Sequence, residues 1–264
     1  MRKIIFKILK YTFIPLFIRN FIQKKFTTIL LFHNIKPNIA DKTFKFLTKN
    51  YNIISLEKYI EARKNNYRLP SKSLIITFDD GHIGNHDILP YIKKYRIPVT
   101  IFLCAGIVNT KRHFWDSIVN SKKKIRYLKK LDNKERLVYL SHLGFYETKE
   151  YKNPIALKKE QIIEMRDHVN FQSHTLFHPM LPQCNKSRAW EEINKSIMVL
   201  QNEFDLYINS IAFPSGKYSQ REIQFCKKSR YESALTVDPG FNTFKTDLFK
   251  LKRLNMNDTS DLNE

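Results

Sequence analysis

Leu74-Ile75-Ile76-Thr77-Phe78-Asp79-Asp80-Gly81 is the stretch that decides how this chain is read. Its apolar run has the length of a buried strand, and two adjacent carboxylates follow where that strand ends. Further along, Phe171-Gln172-Ser173-His174-Thr175-Leu176-Phe177-His178 places two imidazoles four residues apart behind another short apolar stretch. Taken singly, each has a bland explanation. Asp-Asp-Gly suits a turn, because Asp tolerates the turn backbone and Gly supplies positive φ. Two histidines at this spacing are most often unrelated. Together they make a chemical set: two His and one carboxylate bind catalytic zinc while leaving a position open for water. The other carboxylate is then free to act as a base. The conjunction points to a metal-assisted hydrolase.

The surrounding pattern supplies a scaffold for such a site. Strand-like runs fall at 28–32, 74–78, 98–103, 169–172, 209–213, 233–237 and 249–254, with helical patterns between most of them. Asp87 to Arg96 puts Ile88, Tyr91, Ile92 and Tyr95 on one face. Ser187 is expected to cap a helix carrying Trp190, Ile193, Ile197, Leu200 and Phe204, with Glu191 and Glu192 in its first turn. Those apolar stripes read as core. Strands alternating with helices imply a parallel sheet, and motifs at strand ends imply the C-terminal face of a barrel.

At this level of detail the sequence resembles the polysaccharide deacetylases with a NodB-homology domain (carbohydrate esterase family 4), over roughly residues 28–254. Ile29-Leu30-Leu31-Phe32-His33 is similar to the family's opening strand, and Leu74 to Gly81 to its first motif. Ile88-Leu89-Pro90 through Pro98-Val99-Thr100-Ile101-Phe102 follows in order. Phe171 to Pro179 is similar to the second motif, Ala212-Phe213-Pro214-Ser215-Gly216 to the third, and Leu251-Lys252-Arg253 to the arginine segment near the domain's end. The resemblance implies an α/β fold, a distorted (β/α) barrel of about seven parallel strands. Position by position it implies Asp79 as general base, and Asp80, His174 and His178 as ligands of a divalent metal, Zn2+ before Co2+ or Mn2+. It further implies the Ser215 backbone N–H as oxyanion donor, and Pro214 and Arg253 as substrate contacts. The expected substrate is an N-acetylated glycan in a bacterial surface polysaccharide or its precursor, nearest in pattern to the poly-N-acetylglucosamine branch. An O-acetyl or formyl hydrolase of the same fold, or an inactive carbohydrate-binding protein, are the alternatives.

Three departures from the family pattern stand out. The third-motif arginine that orients the catalytic aspartate is replaced by Ala212. An Asp- and Trp-containing fourth motif is not recognisable, with Leu235 to Gly240 in its place. No histidine follows His178, so the fifth-motif general acid is missing. His33 is the first candidate for that role, with a structural role as the other.

Domain organisation follows: a basic amphipathic segment 1–25, a catalytic domain 26–256 with an insertion at about 109–154, and a polar tail 257–264. In the insertion, Trp115 beside Asp116 either stacks on a sugar ring or anchors the insertion to the barrel. The basic stretch Lys122 to Lys130 reads as a solvated helix face, with an anionic polymer or lipid phosphate as its possible contact. The 264 residues carry 46 Lys+Arg against 25 Asp+Glu, a net charge of +21. That charge is spread along the chain without a nucleic-acid module, so no nucleic-acid partner is expected. No acidic residue precedes Asp41, and Tyr11 to Ile18 is too short an uncharged run for a span of about 20 residues. Peripheral association with an anionic membrane is the expectation, with a membrane-associated or cytoplasmic location and export left open. Cys104, Cys184 and Cys226 form no CxxC pair and suggest neither a disulfide framework nor a thiolate metal site.

Overall fold

Strands that are apolar at nearly every position suit a sheet covered on one side by helices and filled on the other by its own side chains. The structure, a computed structural model, describes residues 12–258. Its strands are β1 (Thr28–Phe32), β2 (Asn52–Ile53), β3 (Ser73–Phe78), β4 (Val99–Leu103), β5 (Val169–Ser173), β6 (Ser210–Ala212), β7 (Ser233–Leu235) and β8 (Leu254–Asn255). After a short helical stretch at Ile14–Phe17 and Ile18–Ile22, the helices are α1 (Pro37–Asn50), α2 (Leu56–Asn65), α3 (Leu89–Tyr95), α4 (Lys122–Leu128), α5 (Asn133–Ser141), α6 (Lys159–Met165), α7 (Lys186–Phe204) and α8 (Gln220–Lys228).

The sheet runs β7-β6-β5-β4-β3-β1-β8 with every neighbouring pair parallel, and β2 lies beside β3. Leu251 bridges to Leu235 of β7, and Leu254 pairs with Leu30 of β1. Residues 251–255 therefore lie between the two edges and close a distorted (β/α) barrel, the architecture expected from the sequence. The last strand begins later than the expected 249–254. Leu248–Lys250 is a 3-10 turn capped by Asp247, whose carboxylate accepts from Phe249 N at 2.9 Å, so pairing starts only at Leu251.

Side-chain alternation separates two apolar regions. Ile29, Ile75, Phe102, Leu235 and Leu251 pack together with Leu56, Tyr59 and Ile60 of α2. Their strand neighbours Leu30, Phe32, Leu74, Ile76, Phe78 and Ile101 join the larger cluster under the other helices. A period of two thus assigns the first set to the barrel interior. Asp79 has the same parity as Ile75 and Thr77, which carries its carboxylate inward at the strand's end.

Two local expectations are corrected. Helix α7 starts before Ser187: Asn185 is the cap, its side-chain oxygen accepting from Arg188 N at 2.8 Å. Glu191 and Glu192 consequently fall in the second turn, and Glu192 is buried. Trp190 is only partly buried and meets Phe225 edge-on. In the expected stretch Asp87 to Arg96, Asp87 and Ile88 end the 3-10 segment Ile83–Ile88, and the α-helix begins at Leu89 with Pro90 in its first turn.

The chain between β4 and β5 builds a small core of its own. Trp115, Val119, Leu128, Leu140 and Phe145 pack with Met180, which follows the second histidine of the motif. That shared residue ties the excursion to the active end of the barrel.

Candidate metal centre

Both motifs leave their strands in the same way, through backbone that turns sharply. Asp79 N donates to Phe32 O at 3.0 Å, extending the β1–β3 ladder by one residue. Asp80 and Gly81 then adopt φ of 73° and 71°. A Cβ at Gly81 would lie 2.6 Å from the Leu103 side chain, so this corner requires glycine on both counts. On the other side, His174 N donates to Leu103 O at 2.7 Å, after which Thr175 takes φ of 69° and His178 φ of 57°. Positive φ at a β-branched threonine is a genuine outlier. Strain of this kind persists only where surrounding bonds impose it.

Those bonds can be named. Glu192 Oε2 accepts from Leu176 N and Phe177 N, each at 2.9 Å, inside the loop joining the histidines. Trp115 Nε1 donates to His178 O at 3.1 Å, and His178 N donates to Thr175 Oγ1 at 3.2 Å. His174 Nδ1 lies 2.7 Å from Ala212 O. A carbonyl can only accept, so Nδ1 carries the proton and Nε2 presents its lone pair to the cavity.

Asp80 Oδ1 sits 3.4 Å from His174 Nε2 and 3.5 Å from His178 Nε2, and this buried oxygen has no hydrogen-bond partner. The ligand atoms of Asp80, His174 and His178 all lie within 4.8 Å of one another. Burial pushes His178 down to about 3, against the pull of Asp80, so its imidazole is neutral at working pH and able to bind a cation. An orphaned carboxylate oxygen facing two imidazole nitrogens is a donor set that fits a divalent cation.

The neighbouring carboxylate is held differently. Arg253 Nη1 and Nη2 donate to the two oxygens of Asp79, both at 2.7 Å, while Arg253 Nε donates to Thr236 O at 2.7 Å. Burial raises the Asp79 carboxyl, but the Arg253 charge and hydrogen bonds, with His174, outweigh it and hold the group below its ordinary range. The clamp missing from Ala212 is therefore supplied by the strand that closes the barrel.

Several expected substrate contacts are corrected by this geometry. Arg253 is 1% exposed and all its bonds go to protein, so it orients Asp79 and has no surface to offer a sugar. Trp115 is 2% exposed, with Arg136 over its ring, so it anchors the excursion and is closed to stacking. Pro214 is buried in the turn Pro214–Gly216, where it fixes the backbone around Ser215. Ser215 has φ of 52°, and its hydroxyl accepts from Lys129 Nζ at 2.8 Å. The bonds of that turn run from Gly216 N to Phe213 O and from Lys217 N to Pro214 O. His33 is half-exposed at the end of β1, its N–H bonded to Asp258 and its C=O to Asn85.

Sequence reasoning missed three participants. His82 Nε2 lies 3.2 Å from Asp80 Oδ2; its place in the same Asp-Asp-Gly turn was the available signal. Glu192, expected in a first turn that begins at Ser187, instead holds the loop between the histidines. Lys129, in a stretch that reads as a solvated face, reaches Ser215. Asp80, His82 and His178 line a cleft of about 490 Å³ together with Asn34, Phe114 and Asp116. Burial and the charge of Asp80 raise the Asp116 carboxyl above its ordinary range.

Comparison with known proteins adds an independent line. YxkH of Bacillus subtilis (strain 168), whose name assigns it to the polysaccharide deacetylases, is 24% identical over 185 residues, covering 69% of this chain and 51% of YxkH. The chain thus spans about half the length of that curated relative. Among solved structures, the Streptococcus pyogenes deacetylase PplD in complex with acetate superposes with a TM-score of 0.67 at 20% identity, covering 89% of this chain and 94% of PplD. IcaB from Ammonifex degensii gives a TM-score of 0.66 at 15% identity, covering 89% and 93%. The BpsB deacetylase domain from Bordetella bronchiseptica gives 0.64 at 17%, covering 88% and 96%. At these identities the superpositions speak for the fold. The sequence profile described as Polysaccharide deacetylase matches residues 66–234, which is more than half of the chain. On that match the chain belongs to the polysaccharide deacetylase family.

Proposed function

We propose that this chain is a metal-dependent hydrolase that removes N-acetyl groups from an N-acetylhexosamine-containing bacterial surface polysaccharide or its precursor. The observation that carries the reading is the pairing of two unlike carboxylates: Asp80 with an orphaned oxygen facing two imidazoles, and Asp79 clamped by Arg253. PplD, in complex with acetate, supports an acetyl substrate.

Asp80, His174 and His178 would hold the cation, most simply Zn2+, with Co2+ or Mn2+ as alternatives. When bound, such an ion lowers the pKa of a water and polarises an acyl oxygen. Asp79, ionised by its arginine clamp, accepts the proton of the attacking water. The Ser215 N–H, which takes no part in the two hydrogen bonds of its turn, donates to the oxygen that gains charge. The departing amine needs a proton. Asp116 lines the cleft and His33 does not, so Asp116 is the better placed donor. Burial and the charge of Asp80 raise its carboxyl, the direction that favours a proton donor.

Product analysis tests the reading. N-acetylglucosamine oligosaccharides incubated with the metal-loaded protein are expected to release acetate and free amine in equal amounts. Asp79→Asn is expected to lower the rate by about 10²–10⁴-fold. Acetate without new amine would mean an ester substrate, and no acetate from any glycan would favour a binding protein.

Peripheral membrane association is the second part of the proposal, resting on residues 12–25 because residues 1–11 lie outside the described part. Phe13 is 86% exposed, and Phe17 and Phe21 stack together on the surface in a stretch that also carries Arg19, Lys24 and Lys25. Exposed aromatics interleaved with cations suit an anionic bilayer surface. No described helix is long and apolar enough to cross a membrane. The full chain is expected to sediment with anionic liposomes, and a chain lacking residues 1–25 is not. Equal binding by both would overturn this part.

A further inference from the structure

From Ser117 to Leu131 the sequence contains six cations and no acidic residue. The structure gives this run a shape. Ser121 caps α4 by accepting from Lys124 N, and Leu128 buries against the small core, so the helix is fixed in rotation. Lys123, Arg126, Lys129 and Lys130 then line one side of a cavity of about 740 Å³, with Lys217 and Ser215 also in its wall. That volume lies within the range of small-ligand sites.

Elsewhere in the molecule, several inward-facing cations are matched by acids: Arg188 to Glu147 and Glu192, Arg221 to Glu222, Arg253 to Asp79, whereas Arg63 bonds to a tyrosine hydroxyl and carbonyls and Arg136 to Asn133. None of the five cations around this cavity lies within 4.0 Å of a carboxylate among the described residues. Like charges gathered on one concavity raise its potential and draw in a counter-ion. The position of the cavity is as informative as its charge. Lys129 Nζ donates to Ser215 Oγ at 2.8 Å and both residues line the cavity, so it borders the residue of the proposed oxyanion donor. Met180 and Pro182 give it apolar wall and the exposed Tyr127 also lines it, a lining that suits sugar rings between anionic groups.

We propose that this cavity is a subsite for an anionic group, phosphate or carboxylate, carried by the glycan on a unit next to the acetylated sugar. The substrate is then an anionic N-acetylhexosamine glycan, a refinement that rests on the deacetylase reading. Lys129 links the two parts, touching the turn that receives the acyl oxygen and facing the anion.

The test needs two readouts, one of which does not depend on turnover. Binding of a heparin-derived tetrasaccharide is measured by calorimetry on the full chain, and kcat/KM is compared for neutral, phosphorylated and uronate-containing N-acetylglucosamine oligosaccharides. The Lys123→Gln/Arg126→Gln/Lys130→Gln variant is set against a charge-matched control on α1, Lys42→Gln/Lys45→Gln/Lys49→Gln. The expected result is a preference for one anionic oligosaccharide of about tenfold or more at low salt, lost with tetrasaccharide binding in the cavity variant and kept in the control. Whichever of phosphate or uronate is preferred identifies the anion. Equal rates on neutral and anionic glycans would overturn the proposal. Equal losses in both variants would also overturn it, by assigning the effect to net charge. Tighter binding of a DNA oligonucleotide than of the tetrasaccharide, lost in the cavity variant alone, would assign the cavity to nucleic acid. If no glycan is turned over, the deacetylase reading fails, and the calorimetry still decides whether the cavity binds an anionic glycan.

Discussion

Replacing Arg253 by glutamine should uncouple the proposed base from its control. In the wild type both Asp79 oxygens are bonded to the guanidinium at 2.7 Å, and the two residues are 3% and 1% exposed. Removing one partner of a pair this buried leaves an uncompensated charge, a loss of about 3–5 kcal/mol. For a chain of this size each kcal/mol moves the melting temperature by ~2–4 °C, so a fall of roughly 6–20 °C is expected. The catalytic consequence has a definite direction. Arg253 is the largest influence lowering the Asp79 carboxyl against the opposing effect of burial, so without it the group takes up a proton at higher pH. The acid limb of the kcat/KM profile should then move to higher pH. Stability should follow the same group. A carboxyl lowered in the folded state contributes above its unfolded pKa of about 4, and that contribution is lost as pH falls through the folded value. The melting-temperature gap between wild type and variant should therefore be full at neutral pH and narrow below about pH 4. Asp79→Asn/Arg253→Gln should lose less than the sum of its single changes. An unmoved acid limb with an unchanged melting temperature would refute the reasoning.

Other perturbations reach the site from further away. Glu192→Ala strips the acceptor from Leu176 N and Phe177 N, and each unsatisfied group costs about 1–3 kcal/mol. Loosening that loop should weaken metal binding by roughly 10–100-fold, read by competition with a chelator. Trp115→Phe keeps the packing but removes the donor to His178 O, so a smaller loss of metal affinity, about tenfold, is expected with little change in melting temperature. Asp116→Asn should lower kcat by about 10²-fold and remove the basic limb of its pH profile, whereas His33→Gln should cost less than about tenfold. The reverse ranking would return the proton-donor role to His33.

Much of this site was legible because its parts are local. A strand that ends in Asp79-Asp80-Gly81 announces both carboxylates and the turn that aims them, and His174 and His178 are placed by four residues of one loop. The parallel sheet followed from strands alternating with helices, and the distorted barrel from the family resemblance. What escaped was long-range. Arg253 reads from the resemblance as a substrate contact, and only the segment that closes the barrel shows it bound to a carboxylate 174 residues away. Trp115 beside Asp116 reads equally as a sugar platform or an anchor, and only the small core built around Met180 buries it. Glu192 was hidden by a two-residue error at a helix start. Asn185 and Ser187 are both good caps, and the choice between them is made by the hydrogen bond to Arg188 N.

The most direct test of the central claim is a metal titration of chelator-stripped protein, following bound metal and acetate release from an N-acetylglucosamine oligosaccharide together. Activity should rise with Zn2+ and saturate at one ion per chain. Asp79→Asn should bind the ion with the same stoichiometry and release acetate about 10²–10⁴-fold more slowly, because the proposed ligands are Asp80, His174 and His178. Activity that survives chelation, or an Asp79→Asn protein that deacetylates at the wild-type rate, would contradict the account.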